Sequence, residues 1–428
     1  MRVGLRACRG RRAFGFALGL VWLWSGFAVG ADGIEPIGVS IQGAARGGAE
    51  TAVGDSALSQ IDNPATMTLF SKNTFRFDLA GGAVIPRSDW EAPIETDTSE
   101  VGAMPLMNLA LVIPKNDRLA FGFAVYTKSH VASRYSMKHL LLRRRHRRVG
   151  ADMRNYSVPF NIAYRLTDKL SVGGGLRAEF GTAKFRTVNG SMAAKFGRGY
   201  TAGAGGQLGL HYQMRPDLAF GLGYRSPTWF HDSSGGDAGA TWTGDAETSM
   251  FGLRAVTLGK STIENIRLPQ KVTAGVAWDA TDWLKLIGEV RWIDYSASTF
   301  HEAEFVTGRT LEMGLTSPLG YRDQWAFITG AEFSLSEHWK LGVGYHYATN
   351  PISRKKLLPI AAAITQHHIT TGLRYERDKW WVGGAYVLGL PNAMSGAGRS
   401  GIPLGVDFGR STIEQTEHTV MVGFGLGW

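Results

Sequence analysis

The chain has 428 residues, 44% of them apolar, with a formal charge of +10, 56 glycines and a single cysteine. Its mean hydropathy is −0.09, and beyond residue 31 nothing approaches the roughly 20 apolar residues that a membrane-spanning helix needs. Cys8 lies in a segment expected to be removed, which excludes disulfides, thiol catalysis and cysteine metal sites from the mature chain. Arg2, Arg6, Arg9, Arg11 and Arg12 supply five of the positive charges and leave +5 for the rest, so a general nucleic-acid-binding surface is not expected.

Residues 1–31 read as a secretory leader: a basic start, an apolar stretch from Phe14 to Val29, and small residues Gly30 and Ala31 before Asp32. Arg11-Arg12 faintly resembles a twin-arginine export signal, but that route carries folded cargo, and plain secretion is the expectation. Residues 32–72 are rich in small side chains, with only fragments of helical spacing, and run into Asn63-Pro64-Ala65.

From residue 73 onward, period-two alternation dominates. Phe75, Phe77, Leu79, Gly81, Ala83 and Ile85 share one face of the first strand, against Arg76 and Asp78. Near residue 290, Leu284, Leu286, Gly288, Val290 and Trp292 oppose Lys285, Glu289 and Arg291. Tight polar turns are expected at 114–118, 167–169, 215–217, 280–282, 336–338 and 376–379. Between them lie long connections at 87–102, 128–152, 187–198, 231–264, 297–320, 350–365 and 391–415. Alternating tight turns and long loops predict a fourteen-stranded antiparallel transmembrane β-barrel, turns on the periplasmic side, with apolar side chains toward lipid and mixed ones toward the lumen. The chain ends within a strand, with Val420, Val422, Phe424, Leu426 and Trp428 on one face, as in bacterial outer-membrane barrels.

Asn63, Pro64 and Ala65, following a glycine-rich run just before strand one, resemble the FadL family of outer-membrane long-chain fatty-acid and hydrocarbon transporters. Tyr164–Leu176, Leu222–Ser226, Leu268-Pro269-Gln270 and Gly342–Tyr345 with Pro351 extend the resemblance along the mature chain. It implies that residues 32–72 form a hatch inside the barrel of residues 73–428, and that cargo leaves sideways at a kinked third strand. That strand would be Leu119–Thr127, which carries Gly122 but no proline. Ile34 and Ile37, nearest the new N-terminus, are candidates to fill an empty ligand pocket or simply to pack the hatch.

A fatty-acid carboxylate in a low-dielectric lumen needs a cation. Arg177, Arg225, Lys271 and Arg291 are candidates on the lumen face, with Lys184 and Arg186 near the outer end of strand five. Pairing with their own acids, Arg177 with Glu179 or Arg291 with Glu289, is the competing reading, and a neutral hydrocarbon would need no cation. Arg143, Arg144, Arg145, Arg147 and Arg148 follow three leucines in the second external loop. They form either a solvated basic loop or a contact for lipopolysaccharide phosphates and anionic amphiphiles. His367-His368 lacks partners at metal-ligand spacing, and no metal or cofactor is expected. An outer-membrane hydrolase and an adhesin or receptor are the alternative classes. A hydrolase requires a nucleophile and base together, no such motif stands out, and a plug suits neither alternative. The expectation is a monomeric barrel for passive uptake of hydrophobic molecules, lying in outer-membrane lipid and lipopolysaccharide.

Overall fold

The computed structural model describes residues 32–70, 72, 74–93, 95–138, 146–189, 192–232, 239–244, 255–307, 313–317, 319–398 and 408–427. The expected leader and Trp428 therefore lie outside the described residues.

Fourteen long strands follow one another: β1 (Arg76–Ala92), β2 (Met104–Pro114), β3 (Leu119–Lys138), β4 (His146–Arg165), β5 (Leu170–Asn189), β6 (Met192–Arg215) and β7 (Leu218–Arg225). The second half continues with β8 (Lys271–Thr281), β9 (Leu284–Ile293), β10 (Gln324–Ser334), β11 (Trp339–Ala348), β12 (His367–Arg377), β13 (Trp380–Ser395) and β14 (Thr412–Gly427). Each pairs antiparallel with its neighbour, and β1 pairs with β14 from Arg76↔Gly427 to Glu91↔Thr412, which closes the cylinder. Closure leaves no unpaired edge, the condition for burying backbone in hydrocarbon.

The alternation read from the sequence has a direct physical counterpart. On β9, Leu286 and Val290 are exposed on the outside, while Ile287, Glu289 and Arg291 are buried inside. On β14, Val420, Val422, Phe424 and Leu426 face outward, with Thr419 and Met421 buried. The six expected turns fall between the strands of the six two-strand hairpins at one end.

The long connections differ from expectation. Much of what was expected as loop is strand: β3 and β4 pair as far as Lys138↔His146, and β5 and β6 as far as Asn189↔Met192. Glu95–Thr98 folds back onto β1, and Gly239–Gly244 pairs with both β6 and Ala255–Glu264. Main-chain pairing does not stop where hydrocarbon ends. The polar sequence there marks water on the outside of the sheet rather than an end to the ladder. Among the described residues, the segment from 350 to 366 keeps its loop character, with two short 3₁₀ turns, Arg354–Lys356 and Pro359–Ala361.

Two places in the wall are weakly joined. The β2–β3 ladder stops at Asn108↔Tyr126, although β2 stays paired to β1 up to Met104 and β3 continues to Lys138. Side chains take over there: the Thr127 amide donates to Asn108 Oδ1 at 3.1 Å, and the Met107 amide to Thr127 Oγ1 at 3.1 Å. On the other edge of β3, pairing with β4 skips Ala124 and Val125 and slips in register between Thr127 and Ser129. Opposite the skipped residues is Pro159, which has no N–H to give. The proline missing from the third strand thus stands on the fourth.

Inside, residues 32–70 are almost wholly buried and form one short helix, Ile41–Ala45, and two 3₁₀ segments, Ala57–Ile61 and Pro64–Leu69. Lumen-facing glycines make the room. A Cβ on Gly173 would come within 2.6 Å of the Pro64 carbonyl carbon, and one on Gly209 would collide with the Asn63 side chain. Gly209→Val is therefore expected to leave a barrel that still shows heat-modifiable gel migration. Its residues 32–70 should become accessible to protease, whereas unchanged protection would contradict this packing.

Candidate functional site

Asn63, Pro64 and Ala65 act as a structural unit. The Asn63 side chain accepts from the Ala65 amide at 3.0 Å, capping the 3₁₀ turn that Pro64 opens. Its amide nitrogen donates to the Thr51 carbonyl at 2.7 Å and to the Leu210 carbonyl of β6 at 2.8 Å. One side chain thereby joins two parts of the inner segment to the wall.

Charge does the rest of the clamping. Arg291 of β9 reaches Asp32 at 2.7 Å and its own neighbour Glu289 at 2.8 Å. Glu289 also accepts the backbone amides of Glu50 and Thr51 at 3.1 and 2.9 Å. Glu35 pairs with Arg225 of β7 and, at 3.2 Å, with Lys271 of β8, which holds Asp62 at 3.1 Å as well. Arg46 is fully buried between Asp55 at 2.7 Å and Glu332 of β10 at 3.0 Å. Lower down, Asp78 of β1 accepts from the Ser56 hydroxyl at 2.8 Å and the Trp381 indole at 2.8 Å.

Above Glu35, Arg177 bonds Glu179 at 2.5 Å, and Lys128 bonds the same carboxylate at 2.8 Å. Tyr295 holds main chain rather than side chain: its hydroxyl donates to the Asp32 carbonyl at 2.7 Å and accepts from the Ile34 amide at 3.1 Å. Over this charged layer sits an apolar cluster that includes Ile34, Tyr135, Tyr295, Tyr321, Ile360 and Phe408. Tyr295, Phe300 and Tyr321 meet at ring-centroid distances of 5.4–5.9 Å. Ile37 belongs to a second cluster, with Ile41, Leu58 and Met67, on the β1–β4 side.

These positions sort the residues expected from sequence. Arg177, Arg225, Lys271 and Arg291 point into the lumen, each against a carboxylate. Lys184 and Arg186 do not: they occupy the opposite parity of β5 and lie on the outer surface, Lys184 within 3.3 Å of Asp152. Alternation counted from Arg177 places them there, and proximity to the strand's outer end was the misleading cue. Arg143, Arg144 and Arg145 lie outside the described residues. Arg147 and Arg148 belong to β4, opposite Met137 and Ser136, rather than to a loop. His367 and His368 occupy opposite faces: His367 contacts the Tyr345 hydroxyl outside, while His368 is buried inside. Asp32, Glu35, Lys128 and Glu332 carry much of the clamp and were not among the expected residues. Their acidic or basic character in a lumen parity was the available signal for Lys128 and Glu332.

A closed barrel with an outward apolar band and a lumen filled by its own leading segment defines an outer-membrane channel that is not an open aqueous pore. The chain belongs to the family of outer membrane protein transport proteins (OMPP1/FadL/TodX), whose family model matches residues 23–379. It is 22% identical over 370 residues to the long-chain fatty acid transport protein of Escherichia coli O6:H1, covering 72% of this chain and 75% of that one. The fold is that of the toluene transporter TodX of P. putida (TM-score 0.75, 18% identity, 92% of this chain and 99% of that one). The toluene transporter TbuX of Ralstonia pickettii shares it too (TM-score 0.71, 20% identity, 91% and 98%).

Two predictions follow from the clamp. Arg46→Ala would leave Asp55 and Glu332 only their longer contacts to Arg374, at 3.6 and 3.7 Å, and should lower unfolding stability in urea by about 2 kcal/mol; a change below ~0.5 kcal/mol, as for a surface pair, would count against it. Glu50 is buried with only Ser40 and Ser59 hydroxyls on one oxygen, at 3.2 Å for Ser59. Burial, with Asp62 and Asp55 nearby, pushes its carboxyl up from 4.5 to about 8, over the opposing Ser40 hydroxyl and Arg46. A carboxyl raised in the folded state favours docking fully below its unfolded value and loses that advantage as pH climbs to the folded one. Protease protection of residues 32–70 should therefore fall between pH 4.5 and 8, and Glu50→Gln should flatten that fall.

Proposed function

We propose that the protein takes up hydrophobic small molecules passively across the outer membrane, with residues 32–70 as a hatch, and that it is not an enzyme. Neutral hydrocarbons fit the lumen better than fatty acids. The observation that carries this preference is the pairing of Arg177, Arg225, Lys271 and Arg291 with the protein's own acids beneath an apolar, aromatic-lined cluster. A carboxylate entering there would have to displace Glu35 or leave its own charge unpaired in a low-dielectric site. An apolar molecule meets no such barrier, and each buried CH₂ favours entry by about 0.8 kcal/mol.

Binding that favourable demands a state that binds less well. Removal of residues 1–31 makes Asp32 the first residue, so the clamp on Asp32 and Glu35 lies at a free chain end that can withdraw without unfolding the barrel. Withdrawal takes Ile34 out of the apolar cluster and opens a path past Val39, whose carbonyl accepts from Asn108 at 2.8 Å beside the end of the β2–β3 ladder. That seam is the sideways exit: main-chain pairing has ended there, so only the side-chain bonds of Asn108 and Thr127 have to break.

The test compares uptake of a labelled monoaromatic hydrocarbon with that of a labelled long-chain fatty acid in vesicles containing the protein. The native chain should favour the hydrocarbon. Glu35→Gln, which frees Arg225 and leaves Lys271 with Asp62 alone, should raise fatty-acid uptake relative to hydrocarbon by about tenfold, the equivalent of one charge pair of ~1.4 kcal/mol. An unchanged ratio would refute the role given to these pairs. Deleting residues 32–66 should leave a foldable barrel with altered uptake, and transport indifferent to that deletion would rule out the hatch.

A further inference from the structure

The outer surface of β3–β6 carries a second charged constellation, unconnected with the lumen. Asp152 on β4 is surrounded by Arg154 at 3.0 Å, Lys184 at 3.3 Å and Arg198 at 3.3 Å. Arg134, Arg148 and Arg186 line the same shallow cleft of about 410 Å³, together with His130 and Glu100. Six cations thus share one patch with two carboxylates, and among the described residues Arg134, Arg148 and Arg186 have no acid within 4 Å.

Register fixes the height of this patch on the barrel. Going outward along β4, Phe160 and Tyr156 project into the lipid band, Tyr156 opposite Phe180 of β5. The next outward-facing row is Arg154, opposite Thr182, with Tyr200 beyond it on β6. Then come Asp152 opposite Lys184, and Gly150 between Arg134 and Arg186. The charge therefore begins one row above an aromatic rim, on the side of the long connections. Aromatic rims mark the interface between hydrocarbon and headgroups, so the cations stand at headgroup level in the outer leaflet.

Such a patch has an electrostatic requirement. The cations project from neighbouring strands only about 5 Å apart, inside the ~8 Å screening length of physiological salt. They repel one another unless an external anion joins Asp152. An occupant must be anionic above and apolar below, because exposed Tyr156 and Phe180 lie directly beneath, with Tyr200 level with Arg154. It must also sustain several charge-assisted bonds at once, which is what arginine provides to phosphate.

We propose that this face binds the phosphorylated disaccharide of lipopolysaccharide, with phosphates among Arg154, Lys184, Arg186 and Arg198 and acyl chains along the aromatic rim. The site is fixed to rigid strands rather than to a loop. It also flanks the outer part of the β2–β3 seam, since residues 101–105 line the same cleft. Bound glycolipid would wall the seam on its lipid side and define what leaving cargo meets first.

The experiment uses the full-length mature protein in detergent, titrated with bisphosphorylated lipid A, dephosphorylated lipid A and phosphatidylglycerol, with binding read by native mass spectrometry. Bisphosphorylated lipid A should bind at least about tenfold tighter than either alternative, two cations at a charged surface accounting for that much. Lys184→Gln/Arg186→Gln should remove that advantage, while Lys184→Arg/Arg186→Lys keeps it. Heat-modifiable migration reports that each barrel is folded. If the neutral pair fails to fold, Arg154→Gln/Arg198→Gln provides the same reading. Native-like lipid A binding by the folded neutral variant would overturn the proposal, as would equal affinity for phosphatidylglycerol, which would make the face a general anionic-lipid surface.

Discussion

Hydrocarbon offers no hydrogen-bond partner to a peptide group, and that constraint shapes everything else in this molecule. Every amide and carbonyl at membrane depth must find a mate within the sheet, so the sheet must close, and β14 lies along β1 for that reason. Once closed, the wall has two chemically distinct faces at a spacing set by the pleat. The lumen face is the only place where charge is tolerated at depth, and the chain uses it to hold its own leading segment.

The lumen is a packed interior in which glycines and ion pairs add to the aliphatic filling. Glycines at 173 and 209 let the backbone of the inner segment approach closer than any side chain would allow. Paired charges then set its position, and the desolvation of each is offset by more than one partner, as with Glu289, which receives one guanidinium and two amides. Removing one member leaves others buried and unpaired, so the clamp is stiff as a whole.

Strand number, closure and facing were legible in the sequence, because alternation and turn chemistry are local and repeat many times. Two kinds of feature were not. The extent of the ladders beyond the membrane escaped because a two-sided polar strand and a polar loop have similar compositions. The lumen partnerships within one strand, Arg177 with Glu179 and Arg291 with Glu289, could be read; those across the bore escaped because they join residues such as Glu35 and Arg225, 190 positions apart, in a geometry no periodicity encodes. Lys184 and Arg186 mark a different case: the strand's parity held the correct answer, and nearness to the barrel mouth obscured it. Likewise, the weakness in the third strand came from Pro159 on its neighbour, visible in the sequence but attached to the wrong strand without a register.

Tyr295 grips the inner segment through the carbonyl of Asp32 and the amide of Ile34. Those two atoms are common to every amino acid except proline at the second position. The anchor is thus blind to side-chain identity, and the side chain at position 34 answers only to the apolar cluster around it. Selection can therefore exchange one apolar side chain for another at this position while leaving the latch in place.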